Sequence, residues 1–220
     1  MKIATWNVER LKHKKSLHEM FAACDKVHSD ILVLTETDRR FSPEYRFCFQ
    51  TPSLAEIDPA VYKPTENRVS IYTNYPCIRE YSTYDKYTSI CLELDTERGH
   101  LLVYGTIIGI YGNRHASFKQ DLARQIEDIE RLSKIGDGFL ICGDFNCSFA
   151  DNYYYTKHGR DSLLETLSNN GLSLLTKKQS ECIDHIAITS KYVGDAVINV
   201  EEWNEDKRLS DHKGIAVSIL

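Results

Sequence analysis

The sequence predicts an α/β fold with mixed strand pairing, and three observations predict it. Apolar runs such as Ile31-Leu32-Val33-Leu34 and Phe139-Leu140-Ile141-Cys142 alternate with amphipathic helical stripes, the pattern of buried strands covered by helices. Between them, residues 68–110 are rich in β-branched and aromatic residues set off by turn signals, which is an antiparallel pattern. Polar side chains gather where the apolar runs stop, the usual place for a site in a layered α/β protein.

Taken in order, Lys2 to Val8 reads as the first strand and ends in Trp6-Asn7. Lys12, His13, Lys14 and Lys15 follow as a basic run, a solvated face by default and a phosphate-steering patch as the second option. Ser16 and Glu19 have capping-box spacing, ahead of the helical stripe Leu17, Met20, Phe21, Cys24 and Val27. The next buried strand stops at Thr35-Glu36-Thr37-Asp38, so Glu36 is either a site carboxylate or a surface residue capping a turn. Residues 41–65 carry Pro43, Pro52, Pro59 and Pro64 and read as a loop crossing the surface. Four antiparallel strands are expected at Arg68 to Tyr72, Ile78 to Tyr81, Tyr87 to Leu94 and His100 to Ile110.

A second capping-box pair, Ser117 and Gln120, precedes the stripe Phe118, Leu122, Ile126, Ile129 and Leu132, which leads back to the strand at Phe139. Asn152 to Arg160 reads as a loop mixing tyrosines with Lys157 and Arg160. That composition suits base stacking with phosphate contact, or equally a tyrosine cluster packed beneath the loop. A short helix is expected from Ser162, ending near Gly171 in a left-handed cap. Ile183-Asp184-His185-Ile186 opens a strand, and Leu209-Ser210-Asp211-His212 precedes the terminal strand Gly214 to Leu220.

A chain of 220 residues, 42% hydrophobic and with only five prolines, is expected to form one domain spanning 1–220. A net charge of -5 argues against a surface built to coat nucleic acid, while leaving room for a local basic patch. The seven cysteines lack paired CxxC spacing, so free, mostly buried thiols in a reducing compartment are expected. No apolar leader or long apolar segment is visible, so a cytoplasmic monomer without membrane insertion is the expectation.

The most informative stretch is Phe139 to Asn146. Gly143 lets the backbone turn, and Asp144 and Asn146 point the same way if the chain stays extended. A carboxylate and an amide are then delivered together to the rim of a sheet, a pairing that suits a hard cation or a water poised to attack.

In order, Trp6-Asn7, Glu36 in Leu34-Thr35-Glu36-Thr37, Gly143-Asp144-Phe145-Asn146, Ile183-Asp184-His185 and Ser210-Asp211-His212 resemble the endonuclease/exonuclease/phosphatase superfamily. That superfamily includes apurinic/apyrimidinic endonucleases, deoxyribonuclease I-like enzymes, sphingomyelinases and inositol polyphosphate 5-phosphatases. The resemblance implies a four-layer sandwich of two mixed β-sheets flanked by helices, with the site at one edge. It implies that Glu36, with Asn7, belongs to a metal site and that Asp211 lies beside it. It further implies that Asp144 and Asn146 position the attacking water and the phosphoryl oxygen, and that Asp184 orients His212 near the scissile phosphate. Oxygen ligands of this kind favour Mg²⁺ or Mn²⁺.

One departure stands out. Many relatives carry a histidine or tyrosine where this chain has Thr106-Ile107, and the nearest replacements are Tyr111, Asn113 or His115 in the following loop. The leading expectation is a Mg²⁺-dependent phosphodiesterase acting on nucleic acid, with Lys157 and Arg160 as substrate contacts. The alternatives are a phosphatase or phosphodiesterase of a small phosphorylated molecule or lipid headgroup, and an inactive binding protein of the same fold.

Overall fold

The computed structural model describes residues 1–12 and 16–220; of the basic run, His13, Lys14 and Lys15 lie outside the described residues. In chain order the elements are β1 (Lys2–Asn7), α1 (Leu17–Val27), β2 (Ile31–Asp38), β3 (Phe47–Gln50), β4 (Glu66–Thr73), β5 (Cys77–Tyr81), β6 (Ser89–Thr96) and β7 (Gly99–Ile107). They continue as α2 (Phe118–Leu132), β8 (Gly138–Asp144), α3 (Lys157–Asn169), β9 (Leu172–Leu174), β10 (Asp184–Thr189), α4 (Ser190–Val193), β11 (Ile198–Trp203) and β12 (Gly214–Ile219).

The strands form two six-stranded sheets, ordered β11-β12-β1-β2-β4-β3 and β5-β6-β7-β8-β10-β9. Each is mixed: β1 and β2 pair in parallel in the first, β7 and β8 in the second, and the remaining pairs are antiparallel. Strand alternation sorts the apolar residues into layers. Ile3, Val33 and Ile71 of one sheet meet Val103, Leu140 and Ile186 of the other in the central core. The opposite faces pack outward, Ala4, Trp6 and Leu32 beneath Met20 and Cys24 of α1, and Phe139 and Ile141 beneath residues of α2 and α3. The result is the expected sandwich of helix, sheet, sheet and helix.

Several local expectations are corrected. Residues 41–65 are not loop throughout, because Phe47–Gln50 pairs with β4 as an edge strand and Leu54–Glu56 makes a 3₁₀ turn. Neither capping box forms. Ser16 (ψ 16°) and Ser117 (ψ -14°) lack the extended backbone a capping side chain needs, and neither makes a side-chain cap bond. Glu19 instead pairs with Arg208, and Ser117 donates to Asp121. Helix α3 starts at Lys157 rather than Ser162, since Thr156 is extended and its hydroxyl accepts the Gly159 N–H. All seven cysteines are free, five of them buried. Among the described residues, no helix is long and apolar enough to cross a membrane.

Candidate active site

Alternation also decides which polar residues face the gap between the sheets. Asn7 shares the parity of Ile3, Asp144 that of Leu140 and Cys142, and Asp184 that of Ile186 and Ile188, all of which face the central core. These three are therefore the last inward-facing residues where their strands end or begin. The register joins them: Asp184 pairs with Asp144 across β8 and β10, and Ile107 pairs with Asp144 across β7 and β8. Gly143 is required here, because a Cβ at that position would lie 2.1 Å from the Thr106 carbonyl oxygen.

Asp144 is buried, and both of its oxygens are held. Asn7 Nδ2 donates to Oδ2 at 3.1 Å and the Asn146 backbone N–H donates to Oδ1 at 2.8 Å. Burial, reinforced by the charges of Asp184 and Glu36 and opposed by His212, pushes its carboxyl up to about 7. His212 Nδ1 lies 2.6 Å from Asp184 Oδ2, and Nε2 lies 3.5 Å from Asp211 Oδ1. Burial alone would lower the imidazole. The charge and hydrogen bond of Asp184, with help from Asp144 and Asp211, outweigh it and raise His212 to about 10. His212 is therefore an imidazolium at neutral pH.

The loop that presents His212 is tied to the first strand. Ser210 Oγ donates to the Asn7 carbonyl at 2.6 Å, Trp6 Nε1 donates to the His212 carbonyl at 3.1 Å, and the Asp211 N–H donates to Glu9 Oε2 at 2.9 Å. Asn204 Nδ2 donates to the carbonyls of both Ser210 and His212. The Ser210-Asp211-His212 motif signalled the site, but nothing in the sequence signalled the supporting part played by Asn204.

Backbone strain concentrates at the same rim. Glu9, Arg10, Leu11, Glu36 and Asn146 all hold left-handed φ between 46° and 56°, a conformation that costs energy for any residue but glycine. At Glu36 it breaks the alternation that would otherwise place the side chain on the face of Leu32 and Leu34. Glu36 lines a rim cavity instead and pairs with Arg10 Nε at 3.3 Å. At Asn146 it corrects the extended geometry expected from spacing. The amide Nδ2 donates to the carbonyls of Ile108 and Gly109 at 3.1 and 3.2 Å, so its donors are turned into the protein. Asn113 Nδ2 supports the same turn by donating to the Asn146 carbonyl at 2.7 Å.

Two cavities are lined by the strand partners of Asp144, Asp184 on one side and Ile107 on the other. On the side of β10, a cavity of about 270 Å³ is lined by Asn146, Tyr153, Tyr154, Asp184, His212 and Lys213. On the side of β7, a cavity of about 140 Å³ is lined by Arg10, Glu36, Tyr62, Arg68, Ile107 and Tyr111. Of the four residues expected to contact substrate, only Tyr111 lines either. His115 is exposed, its Nδ1 is 2.9 Å from Ser117 Oγ, and its ring lies against Tyr111. Lys157 and Arg160 belong to the first turn of α3 rather than to a loop. Lys157 pairs with Asp161, and Arg160 stacks on the Tyr155 ring and donates to the Asp151 carbonyl. Thr106, beside the departure at Ile107, accepts from Gln125 Nε2 at 2.8 Å and faces away from both cavities.

The carboxylates at the rim fit a hard divalent cation. Among the described residues, the ligand atoms gathered within 4.8 Å of one another are those of Asp144, Asp184 and His212, a cluster that does not take in the expected ligands Glu36 and Asp211. Asp184 Oδ1 is buried without a hydrogen-bond partner. A desolvated carboxyl raised by its acidic neighbours and an orphaned carboxylate oxygen are the marks of a site short of positive charge.

The model of the Endonuclease/Exonuclease/phosphatase family matches residues 4–212, nearly the whole chain. The chain belongs to that family. Its members are hydrolases of phosphodiesters or phosphate esters. Solved structures agree on the fold. The 3′ phosphatase NExo from Neisseria, bound to a product DNA hairpin, is 18% identical with a TM-score of 0.73, covering 100% of this chain and 99% of that one. An AP endonuclease from Archaeoglobus fulgidus is 15% identical with a TM-score of 0.74 over the same shares. A family protein from Leptotrichia buccalis is 13% identical with a TM-score of 0.71, again over 100% and 99%. No curated protein matches the sequence.

Proposed function

We propose that this chain is a metal-dependent phosphoesterase that hydrolyses phosphodiester bonds, with nucleic acid as its first candidate substrate. The observation that carries this reading is the placement of Asp144. It is a buried carboxyl at a strand end, held by Asn7 and by the Asn146 N–H, with the His212–Asp184 pair on one side and the strand of Ile107 on the other.

Glu36, with Asn7 and with Asp211 beside them, is the set the family resemblance assigns to Mg²⁺ or Mn²⁺, and the Asp144 and Asp184 carboxylates gathered at the same rim would complete it. When bound, the cation polarises a phosphoryl oxygen and offsets the charge that builds on it. The remaining roles belong to the chain itself. His212, fixed in orientation by Asp184, presents Nε2–H to a non-bridging phosphate oxygen in the larger cavity. Asp144, fixed by the Asn7 amide and the Asn146 N–H, takes the proton of the attacking water. Asn146 works through its backbone, holding Asp144 Oδ1 while its own amide anchors the turn to Ile108 and Gly109.

A second reading, a small phosphorylated substrate, draws on the fact that Lys157 and Arg160 are engaged within α3 and its approach. One panel separates the two. Purified protein with Mg²⁺ or Mn²⁺ is assayed against single- and double-stranded DNA, RNA, abasic duplex, inositol phosphates and a chromogenic phosphodiester. Turnover of a nucleic acid well above that of the small phosphates is the expected result. Turnover undiminished by excess chelator would remove the metal-dependent reading.

A further inference from the structure

The smaller rim cavity holds more positive charge than its surroundings compensate. Two guanidinium groups, Arg10 and Arg68, face a single carboxylate, Glu36, which Arg10 already pairs. Arg68 is only 8% exposed. Among the described residues its side chain makes one hydrogen bond, from Nη1 to Thr88 Oγ1 at 3.2 Å, and no ion pair. Thr88 in turn donates to Asp85, so the threonine hydroxyl that receives Arg68 is held in place. A cation buried at the mouth of a cavity without a counter-ion is unfavourable unless an anion completes it. A guanidinium is the side chain best shaped for phosphate oxygens, since its planar fork makes parallel charge-assisted hydrogen bonds.

The walls suit the same ligand. Tyr62, whose ring lies beneath the Arg10 guanidinium, and Tyr111 line the cavity, as does Ile107, the strand partner of Asp144. The cavity is one strand position from the carboxyl assigned to activate water and is distinct from the one lined by His212. Arg68 lines this cavity and not the one lined by His212, so a phosphate on Arg68 is a second one beside the phosphate that His212 contacts.

We propose that Arg68, assisted by Arg10, forms an anion subsite for a second phosphate of the substrate, so that the substrate carries at least two phosphate groups. This rests on the phosphoesterase reading and narrows it. The second phosphate is either the neighbouring link of a nucleic-acid chain or another ester on a polyphosphorylated small molecule. It also gives Ile107 a reason, because the donor absent from that strand is supplied from β4 across the gap between the sheets.

Binding is tested first, in chelator, by titrating inorganic phosphate into the full-length protein and following the arginine Nε–H resonances. The Arg68 signal shifts saturably in the wild type. The affinity falls about ten-fold or more in Arg68→Gln, and by less in Arg68→Lys, which keeps the charge but loses the fork, and in Thr88→Val, as expected for hydrogen bonds to a charged group. No saturable shift, or equal affinity in a folded Arg68→Gln variant, overturns the subsite. If Arg68→Gln does not fold, the wild-type titration decides alone.

Steady-state kinetics then name the source. With Mg²⁺ present, a thymidine dinucleotide bearing a 5′-phosphate is compared with the unphosphorylated dinucleotide, and fructose 1,6-bisphosphate with a monophosphate. A lower KM for the doubly phosphorylated member of either pair, lost in Arg68→Gln, supports the subsite and identifies chain or small molecule. Equal KM within both pairs overturns it. If no ester is hydrolysed while phosphate binding still depends on Arg68, the subsite stands and the hydrolase reading falls. Glu36→Ala, which abolishes hydrolysis if that reading holds, keeps the saturable Arg68 shift and tightens phosphate binding, because it removes the carboxylate that pairs with Arg10 in the same cavity.

Discussion

His212 Nδ1 and Asp184 Oδ2, 28 residues apart in the chain, stand 2.6 Å from each other at the rim of the sandwich. The pair joins the loop after β11 to the first residue of β10 and sets the charge state of His212, the one imidazole among the described residues that lines the larger cavity. Without Asp184, only burial and the more distant carboxylates act on His212. The Asp184→Asn variant is therefore expected to lower the His212 titration by more than one unit, about 1.4 kcal/mol for each unit. Imidazole NMR across pH reads this directly. An unchanged midpoint would mean that Asp184 does not hold the proton.

The same shifts set how stability of the metal-free protein depends on pH. His212 rises from 6.5 to about 10 on folding, so its contribution is complete below pH 6.5 and is lost as pH climbs toward 10. Asp144 rises from 3.8 to about 7, so the folded chain keeps a proton that the unfolded chain releases, and stability falls between those values. Denaturation in chelator should accordingly show lower stability at pH 9 than at pH 6. Asp144→Asn should flatten the part of the curve below pH 7, and a slope unaffected by that change would place the titrating group elsewhere.

A divalent cation should relieve the crowding of carboxylates around Asp144. Millimolar Mg²⁺ or Mn²⁺ is expected to raise the melting temperature, with Ca²⁺ and Mg²⁺ distinguishable by the size of the rise. Glu36→Ala should reduce both that rise and any turnover while leaving the folded circular dichroism spectrum in place. A rise of the same size in Glu36→Ala would move the cation to Asp144 and Asp184.

Asp144 and Asn146 should separate in kinetics. Asp144→Asn removes the proton acceptor and is expected to lower kcat by roughly 10²–10⁴-fold with KM little changed. Asn146→Ala removes two anchors of the turn, at Ile108 and Gly109, and is expected to cost about 1–2 kcal/mol of stability along with activity. If Asn146→Ala lost turnover with no change in stability, its amide would act on the substrate rather than on the turn.

Gly143→Ala should be among the most damaging single-atom additions in the chain. The new Cβ would stand 2.1 Å from the Thr106 carbonyl oxygen of the neighbouring strand, at a φ of 141° that favours glycine. A loss of about 2–4 kcal/mol is expected from the combined strain and displacement, measured by urea denaturation. A loss below about 0.5 kcal/mol, the range of an ordinary surface change, would show that β7 and β8 can separate there without consequence.

The sequence by itself determined the layered α/β fold, most strand positions and the ends at which polar groups collect. Those follow from local terms: alternation assigns each strand residue to a face, and an apolar run of Phe139-Leu140-Ile141-Cys142 has no stable place except between two layers. Asp144 was legible from its place after that apolar run, whereas Asn7 and Asp184 were named through the family resemblance; in the structure all three are inward-parity residues where a strand ends or begins. Where local terms were nearly balanced, the reading failed. Ser16 and Ser117 have the right spacing to cap but the wrong backbone, and Thr156 capped α3 so that it starts at Lys157, five residues before the expected start at Ser162. Phe47–Gln50 became a strand only because β4 offered it an edge to pair with. Tertiary structure alone decided which face Glu36 takes, since its left-handed backbone overrides alternation. It alone turned the Asn146 amide inward, left His115 outside and spent Lys157 and Arg160 on their own neighbours. It also brought Arg10, Tyr62, Arg68 and Tyr111 together from four separate segments. No spacing encodes such a pocket, because its geometry is set by how two sheets and their connecting loops close over the same strand ends.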